Sequence, residues 1–489
     1  MNIIRTFVLG LATAGFLAAA PAHSADLWDV YQLALKNDPT FAQAQANYQA
    51  QVENKAIARA GYLPNLSLNA DRQLSRSSGS FPLVYDPNTN TYLNANLDTR
   101  SYSTTYSLQL TQPIFDWSAW KTLDQADASV AQAAANFEAA QQDLILRTAT
   151  AYFNVLNARD TLASDNVAKL AYAKQLEQAK EKYQVGMSAI TDVQEAQAAY
   201  DQAVADEIGG EQQVITAEEQ LRAITGEVVG DLQEPLTDMP LHSPDPASAK
   251  SWVDQALKQN PSLLAAQAAV DVSSANVGIK EAGHYPKLNL TLTHNKNNNS
   301  QILDATPPLG QLTNTNGNTL MLNLSVPLFE GGGTSAQVSQ AERQLDAAKD
   351  QAKFVTRQTE QQARTAYLGV LTGISQVQAL KQSVQSNQTS LQATETGMQV
   401  GTRTIVDVLT ARQNLLKAQT GFANSRYNYL KSILQLKQAA GILTPDDIKK
   451  LNAFMQVPAP TMDTTPQSDT PANNTMSAPA AAANGGNGG

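Results

Sequence analysis

The most regular hydrophobic pattern in the chain is an alternation with a period of two, found in two separate regions. Every second residue is apolar in 65–70 (NLSLNA) and again in 288–293 (LNLTLT). A second alternating stretch follows each of these, at 102–110 and at 320–326. A period of two predicts β-strands with one apolar and one polar face, so each region is predicted to form a β-hairpin.

Polar segments and prolines delimit these hairpins. Residues 75–98 and 294–318 are rich in Asn, Ser, Thr, Gly and Pro and are predicted to be long polar loops. Proline lacks a backbone N–H, so it suits the points where a strand ladder gives way to a helix. These strand-to-helix junctions are Pro64, Pro113, Pro286 and Pro327, which place the hairpins at about 64–113 and about 286–327.

A helical pattern without proline follows each hairpin, from Asp116 to about Tyr183 and from about Ser335 to Met398. At 1.5 Å per residue, each helix is roughly 100 Å long. Both carry a stripe at the four-and-three spacing of coiled coils. The stripes are Leu144, Thr148, Ala151, Val155, Ala158 and Leu162, and Thr359, Ala363, Ala366, Val370, Gly373 and Val377. The stripes alone fit either a curved helical wall or a pair of ordinary antiparallel coiled-coil rods.

Two closely similar sequences follow these helices, VGMSAITDV at 185–193 and VGTRTIVDV at 400–408. Gly186 and Gly401 are predicted to terminate the long helices, because glycine readily adopts the left-handed conformation that ends a helix. Both sequences are therefore predicted to be tight turns at the tips of helical hairpins, far from the strands.

The chain is predicted to restart as a helix directly after each turn. Thr191 and Thr404 have side chains suited to N-capping, and the returning helices are predicted over 192–223 and 405–439. The complete helical hairpins then cover about 116–223 and about 335–439.

The turns belong to a duplication that extends over most of the chain. ALKNDP at 34–39 recurs as ALKQNP at 256–261, and the other matches keep the same order. Each copy is predicted to hold an entry helix, a β-hairpin and a long helical hairpin. The predicted units are copies at 25–226 and 250–440, short segments after them at 227–249 and 441–456, and a disordered tail at 457–489.

The composition of the chain indicates where the protein is located and which partners it does not bind. A basic Arg5, an apolar run and Ala22-His23-Ser24 predict a secretory signal peptide over residues 1–24; an anchor helix is the alternative, but the run is short for a membrane span. The chain contains no cysteine, which excludes disulfides and a lipid-modified N-terminal cysteine. The net charge of −10 argues against a nucleic-acid partner.

No residue pattern suggests an enzyme, a metal site or a cofactor. His242, His284 and His294 lack the spacing of metal ligands. GGG at 331–333 lacks the lysine of a phosphate-binding loop. The protein is therefore expected not to be an enzyme and to use no cofactor.

Two hairpins supply four strands with an apolar face. Open sheet edges do not occur in hydrocarbon, and bacterial outer-membrane barrels have at least eight strands. If the strands enter a membrane, several chains have to share one barrel. A soluble sandwich covered by helices is the alternative, although an exported, cysteine-free chain with polar strand faces favours a pore.

The chain resembles the TolC family of outer-membrane channel-tunnels over nearly its whole length after the predicted signal peptide. The motifs that carry the resemblance are LQLTQPIFDWSAW (108–120), LRTATAYFNVLNARD (146–160), VGMSAITDVQ (185–194), VGTRTIVDVL (400–409) and SRYNYL (425–430). The resemblance implies an α+β membrane protein that forms a homotrimer. Its chains would jointly form a twelve-stranded outer-membrane β-barrel and a periplasmic α-barrel of coiled-coil-like helices. A small mixed α/β equatorial domain, formed by 227–249 and 441–456, would surround the α-barrel.

In this family, links between hairpins at the periplasmic tips close the resting channel. The resemblance places Asp192 and Thr191 on the first tip, with Arg403 of the second tip reaching Asp192, and makes Gln175 and Glu395 another linked pair. A guanidinium–carboxylate pair is directional. Exposed pairs contribute only about 0–1 kcal/mol each, which suits a latch that also has to open.

The resemblance also suggests what the residues at three further positions do. Met398 stands where the family's latch has a tyrosine, so a hydroxyl hydrogen bond near Thr191 is lost and a weaker closed state is predicted. Asp407 would project into the constriction, giving a ring of three carboxylates. Thr410 stands where the family often has a second acidic ring, so milder cation selectivity is predicted.

The function implied by the resemblance is a passive outer-membrane exit duct, gated at the periplasmic helical tips, for tripartite drug efflux, type I protein secretion, or both. The implied partners are two further copies of the chain, outer-membrane lipid, a periplasmic adaptor (membrane fusion) protein, and an inner-membrane efflux pump or ABC exporter. A periplasmic coiled-coil scaffold without a pore is the alternative. Such a scaffold would have no use for two hairpins with apolar faces.

Overall fold

The computed structural model of the protein describes residues 24–236, 238–304 and 309–456. The predicted signal peptide, apart from its last residue, and the predicted disordered tail lie outside the described residues. The helices of the described part are α1 (Leu27–Asn37), α2 (Pro39–Ala60), α3 (Trp117–Gln184), α4 (Ile190–Thr225), α5 (Ala249–Gln259), α6 (Pro261–Glu281), α7 (Gly333–Gln399), α8 (Ile405–Ala439) and α9 (Pro445–Asn452). The strands are β1 (Asn65–Asp86), β2 (Thr91–Phe115), β3 (Glu234–Pro235), β4 (Lys287–Asp304), β5 (Leu309–Ser325) and β6 (Met455–Gln456).

Two helices dominate the molecule. α3 has 68 residues and α7 has 67, so each is about 100 Å long. α4 and α8 have 36 and 35 residues and return along them. Among the described residues, no helix combines the length and the apolar character that crossing a membrane requires.

Two short helices precede each strand pair, where the sequence predicted a single entry helix. The Asp38 carboxylate accepts a hydrogen bond from the Phe41 N–H and caps α2, and Pro39 occupies the first turn. The Asn260 side chain caps α6 in the same way, again with a proline in the first turn. Asx caps followed by proline are strong helix starts, because the cap satisfies a free N–H and proline has none to satisfy.

Four long strands form one antiparallel sheet in the order β1-β2-β4-β5. The register places Leu66 opposite Leu110, Leu110 opposite Leu292, and Leu292 opposite Leu320. Leucines therefore form a row across one face of the sheet. β1 and β5 are the outer strands of this sheet, and each leaves one edge without a partner among the described residues.

The long polar loops predicted at 75–98 and 294–318 are wrong, because nearly all of their described residues are in strands. Asn and Ser have low strand propensity, but a strand's neighbours can override propensity. On the polar face, Ser101 donates to the Asn299 side-chain oxygen at 3.1 Å, and Ser103 donates to that of Asn297 at 3.0 Å. Such cross-strand bonds stabilise polar strand pairs.

The predicted junction prolines occupy two kinds of position. Pro64 and Pro286 each stand directly before a strand, and Pro327 stands just after β5. Pro113 lies inside β2, beside a register irregularity between Pro113 and Phe115. The first hairpin therefore extends two residues beyond the predicted boundary, because a proline is tolerated in a strand where the ladder is interrupted.

The main hydrophobic core lies midway along the helical part and joins α1, α3, α8 and α9. Its fully buried members include Tyr152, Phe153, Tyr427, Leu434 and Ile448. Most of the predicted stripe on α3 is buried as well. Beside this core, β3 pairs with β6, so the segments after α4 and after α8 meet in a small two-stranded sheet.

The core becomes smaller toward the helical tips. A second cluster contains Ala168, Tyr172 and Ala203. A third cluster, nearest the tips, contains only four buried residues, Leu176, Ala179, Val193 and Ala196. The amount of buried apolar surface therefore falls steadily from the middle of the molecule to its tips.

Candidate functional site

Both tips use the same backbone turn. Gly186 and Gly401 have φ angles of +76° and +78°, a left-handed conformation that side chains disfavour. In each tip, the residue after the glycine donates its N–H to the carbonyl five residues earlier, at 2.8 Å. This pattern satisfies the last carbonyls of a helix, so the glycines terminate α3 and α7 as the sequence predicted.

The second tip holds Arg403 in a defined position. The Gly397 carbonyl accepts hydrogen bonds from the Thr402 N–H, the Thr402 hydroxyl and the Arg403 N–H, at 2.8, 3.0 and 3.2 Å. A Cβ at position 397 would lie 2.8 Å from the Arg403 Cγ. Gly397 thus leaves room for the arginine stem. The exposed Arg403 guanidinium makes no ion pair with any described residue.

Asp407 and Thr404 cap each other at the start of α8. The Thr404 hydroxyl accepts from the Asp407 N–H at 3.3 Å, and the Asp407 carboxylate accepts from the Thr404 N–H at 2.9 Å. Thr404 is therefore the N-cap that the sequence predicted. Hydrogen bonds from the Thr404 N–H and hydroxyl hold the pKa of Asp407 below its usual range, and the positive charge of Arg403 acts in the same direction. The Asp407 side chain is ionised at neutral pH.

The prediction that Thr191 caps the first returning helix is wrong. α4 starts at Ile190, two residues before the predicted start, and its N-cap is Ala189, which has no side chain that can cap. Thr191 lies inside the first turn of the helix and is exposed. The extended backbone of Ala189 is enough to begin the helix, and Asp192 supplies the negative charge that favours a helix N-terminus.

The first and second tips do not form the implied links within one chain. Asp192 is half-buried and makes no ion pair with a described residue. Gln175 and Glu395 are not hydrogen-bonded to each other. The Glu395 carboxylate instead pairs with Arg412 at 2.5 Å. The Gln175 amide nitrogen lies 4.0 Å from the Met398 sulfur. Glu395 pairs with the Arg412 guanidinium and not with the Gln175 amide, because a charged donor bonds more strongly to a carboxylate.

An apolar contact does join the two tips. Ile405 of the second tip packs on the cluster of Leu176, Ala179, Val193 and Ala196 in the first hairpin. Thr410 lies about one turn beyond Asp407 on α8 and is exposed. The tips are thus held by a small apolar contact within the chain, with Asp192 and Arg403 left available for other partners.

The sequence reasoning missed a buried polar pair midway along the helices. The Tyr427 hydroxyl donates to the Asp160 carboxylate at 2.6 Å, across 267 residues of sequence. Burial raises the pKa of the Asp160 carboxyl and of the Tyr427 hydroxyl. Both residues lie in motifs that carry the family resemblance, but no spacing rule joins two positions so far apart. Co-variation between them would have been the usable signal.

The comparisons with known proteins agree with this architecture. The family described as "Outer membrane efflux protein" matches residues 30–227 and 252–442. The chain is 35% identical over 481 residues to outer membrane protein TolC of Escherichia coli (strain K12), covering 97% of this chain and 94% of that one. It is 29% identical over 455 residues to the alkaline protease secretion protein AprF of Pseudomonas aeruginosa, covering 93% and 92%.

Solved structures show the same fold. The outer-membrane channel OprN superposes with a TM-score of 0.69 at 16% identity, covering 85% of this chain and 89% of that one. The CmeC outer membrane channel of Campylobacter jejuni gives a TM-score of 0.69 at 20% identity, covering 88% and 90%. The family match and the relatives define the class of protein, an outer-membrane channel. The chain belongs to the outer membrane efflux protein family, and it serves as an outer-membrane exit duct.

Proposed function

We propose that the protein is a homotrimeric exit duct whose three chains share one twelve-stranded barrel. The observation that carries this proposal is the four-stranded sheet, which has an apolar face and two open edges, on β1 and β5. Open edges are not tolerated in hydrocarbon. If β5 of each chain pairs with β1 of the next, three chains close the sheet, and each backbone group at the edges gains a partner.

The helices then form a periplasmic tunnel below the barrel. α3, α4, α7 and α8 from three chains would supply twelve helices for its wall, and the small residues of the stripes allow them to approach closely. In this arrangement each chain contributes its two copies, 25–226 and 250–440, to the barrel and the tunnel. The segments 227–249 and 441–456, which meet through β3 and β6, would form the equatorial domain around the tunnel.

The gate of this tunnel is proposed to lie at the helical tips. Asp192 and Arg403 are an anion and a cation without ion-pair partners among the described residues of the chain. Pairing across a boundary between two chains would satisfy both. Gln175 and Glu395 are left out of this latch, because Glu395 is already paired with Arg412. Met398 contributes a thioether contact in place of a hydroxyl hydrogen bond.

The duct is proposed to be passive and to be energised by partners. A periplasmic adaptor protein would contact the helical tips and grooves, and an inner-membrane efflux pump or ABC exporter would deliver cargo. Relatives named for efflux and for protease secretion support cargo of both kinds. The family membership favours this proposal over a periplasmic scaffold without a pore.

The first test is the native mass of the membrane species extracted in detergent. The trimer predicts three chains per particle, and single channels should appear when these particles enter planar lipid bilayers. The mature chain refolded without detergent serves as the comparison. A water-soluble monomer as the native species would contradict the shared barrel and make the scaffold the better explanation.

Removing the cation of the proposed latch should open the channel. Arg403→Ser is expected to increase single-channel conductance in bilayers several-fold, because three proposed ion pairs of about 0–1 kcal/mol each are lost together. Arg403→Lys keeps the charge and should stay close to the parent. If Arg403→Ser and Asp192→Ala both leave conductance unchanged, the latch assignment is wrong.

Neutralising the proposed carboxylate ring should relieve block by a multivalent cation. Asp407→Asn still offers an oxygen to the Thr404 N–H, so the helix start is retained. Loss of three negative charges should weaken block by hexaamminecobalt(III) at least about tenfold, equivalent to about 1.4 kcal/mol. Asp350→Asn, an exposed carboxylate on α7 far from the tips, is the matched control. Equal block in parent and Asp407→Asn would exclude Asp407 from the constriction.

A further inference from the structure

The apolar face of the four-stranded sheet becomes cationic toward the hairpin ends. On β1 this face carries Leu66, Leu68 and Ala70, and the next residue on it is Arg72. Side chains two residues apart point to the same side of a strand. On this strand the face therefore changes from leucine and alanine to alternating arginine and leucine, because Leu74 follows Arg72 and Arg76 follows Leu74.

The register places further cations on the same face. Arg72 is opposite Thr104, which is opposite Asn298 on β4. Lys296 is two residues before Asn298, so it shares the face of Arg72. Arg100 is four residues before Thr104 and shares it too. Arg72, Arg100 and Lys296, on three adjacent strands, therefore share one face and are spread along it. Lys296 is opposite Tyr106, and Arg100 is six residues nearer the hairpin end than Tyr106. We call these three residues the cationic patch.

The three cations of this patch are uncompensated. All three side chains are exposed, and none forms an ion pair with a described residue. Arg76 lies on the same face but pairs with Asp98 at 2.6 Å. The patch is flanked by exposed Tyr102 and Tyr106, aromatic residues of the kind that mark the boundary between membrane and water.

The height of the patch can be derived from strand geometry. Arg72 is 72 − 65 = 7 residues from the helix end of β1, and Lys296 is 296 − 287 = 9 residues from that of β4. At about 3.3 Å per residue and a tilt of about 40°, they stand about 18 and 23 Å above those ends. The apolar band of an outer-membrane barrel is about 25 Å tall. Arg72 and Lys296 therefore lie at the boundary opposite the helices. Arg100 is opposite Arg76, four residues beyond Arg72, so it lies about 10 Å further out, beyond the apolar band.

We propose that Arg72, Arg100 and Lys296 bind the phosphate groups of phosphorylated glycolipids in the outer leaflet of the membrane. The proposal rests on the barrel of the proposed function, which turns this face to lipid and puts the hairpin ends outside the cell. Guanidinium groups match phosphate in charge and in hydrogen-bond geometry. The leucines directly below the patch would receive the acyl chains of the same molecule, which favours a lipid over a soluble anion.

The binding test uses the detergent-purified trimer and a bisphosphorylated, hexa-acylated glucosamine disaccharide in mixed micelles. The triple variant Arg72→Gln, Arg100→Gln, Lys296→Gln is expected to bind this lipid at least about tenfold more weakly than the parent. The charge-preserving triple variant Arg72→Lys, Arg100→Lys, Lys296→Arg should retain most of the affinity. Added salt should weaken binding to the parent and change the glutamine variant little, since salt screens charge attraction.

Two further probes identify the group that is recognised. The dephosphorylated glycolipid should bind the parent as weakly as the bisphosphorylated lipid binds the glutamine variant. Inorganic phosphate at millimolar concentration should not displace the lipid, because it has no acyl chains to pack on the leucines. Equal binding of phosphorylated and dephosphorylated lipid, displacement by free phosphate, or unchanged binding in the glutamine variant would each overturn the proposal.

The same samples separate this proposal from the proposed function. Native mass and bilayer conductance of the glutamine variant should equal those of the parent, because the substituted side chains are on the face away from the lumen. A trimeric, conducting glutamine variant with unchanged lipid affinity would refute the phosphate site alone. A monomeric parent would refute the barrel. If the triple variant does not assemble, the three single glutamine variants should each show a smaller loss of affinity.

Discussion

Replacing Gly441 with alanine is expected to destabilise the protein by about 3–5 kcal/mol, combining left-handed backbone strain with overpacking. Gly441 ends α8 with a φ of +76°. An added Cβ would lie 2.3 Å from the Gln259 carbonyl oxygen and 2.7 Å from the Asn260 Cα. These are backbone atoms, which cannot swing aside. The loss should appear as a lower thermal midpoint of the detergent-purified protein and less protein in the outer membrane.

Two other glycines provide matched controls for Gly441. Gly226 ends α4 with a nearly equal φ of +74°, but an added Cβ would meet only the Asn37 side chain, at 3.1 Å. Gly226→Ala should therefore cost about 1 kcal/mol, mainly from backbone strain. Gly209 lies inside α4 with open space around it, so Gly209→Ala should be neutral or stabilising by about 0.5–1 kcal/mol. Equal losses at Gly226 and Gly441 would show that the predicted backbone clash relaxes easily.

Replacing Asp38 with alanine should cost about 2–4 kcal/mol, because one side chain supplies both a helix cap and the anion of a largely buried ion pair. Asp38 is 3% exposed. Its carboxylate accepts from the Phe41 N–H at 2.6 Å and pairs with Arg147 at 3.1 Å. Chemical or thermal unfolding of the detergent-purified protein measures the loss.

A second substitution at the same position separates the two roles of Asp38. Asp38→Asn keeps the oxygen that caps α2 and removes the charge that faces Arg147. The chain already uses asparagine at Asn260, where the side chain caps α6 and also donates to the Ala439 carbonyl at 3.0 Å. Asp38→Asn should lose less than Asp38→Ala. If both variants lose the same amount, the ion pair with Arg147 carries the stability, and if neither loses any, Asp38 is not a stabilising residue.

Strong periodicity and turn glycines in the sequence indicate the main elements. The proline-free helical patterns correspond to α3 and α7, and the alternating leucines lie on one face of the sheet. Gly186 and Gly401 adopt the left-handed turns that their residue type suggests. The polar halves of the strands were predicted as loops because Asn and Ser are poor strand formers. Only the pairing with neighbouring strands, which propensity does not describe, makes them strands.

The candidate site was less predictable, because its contacts depend on three-dimensional neighbours. Thr191 has a capping side chain, yet Ala189 begins the helix. The family resemblance implies Gln175 as the partner of Glu395, yet Arg412 of the same hairpin pairs with Glu395 instead. The pair of Asp160 and Tyr427 joins helices from opposite halves of the chain. Residue type and spacing identified the tips as a special region, but they could not choose among competing partners.

Because the hydrophobic core becomes smaller toward the tips, the tips resist deformation less than the middle of the molecule does. Near the middle, many large buried side chains join α1, α3, α8 and α9, whereas the tips share one small cluster with Ile405. Segments with few buried contacts open at low free-energy cost while well-packed segments stay closed. A force applied at the tips would therefore bend the ends of the helices and decay before it reached the sheet. If the tips are the entrance, as proposed, they would dilate repeatedly for cargo while the seal between protein and outer membrane stays undisturbed.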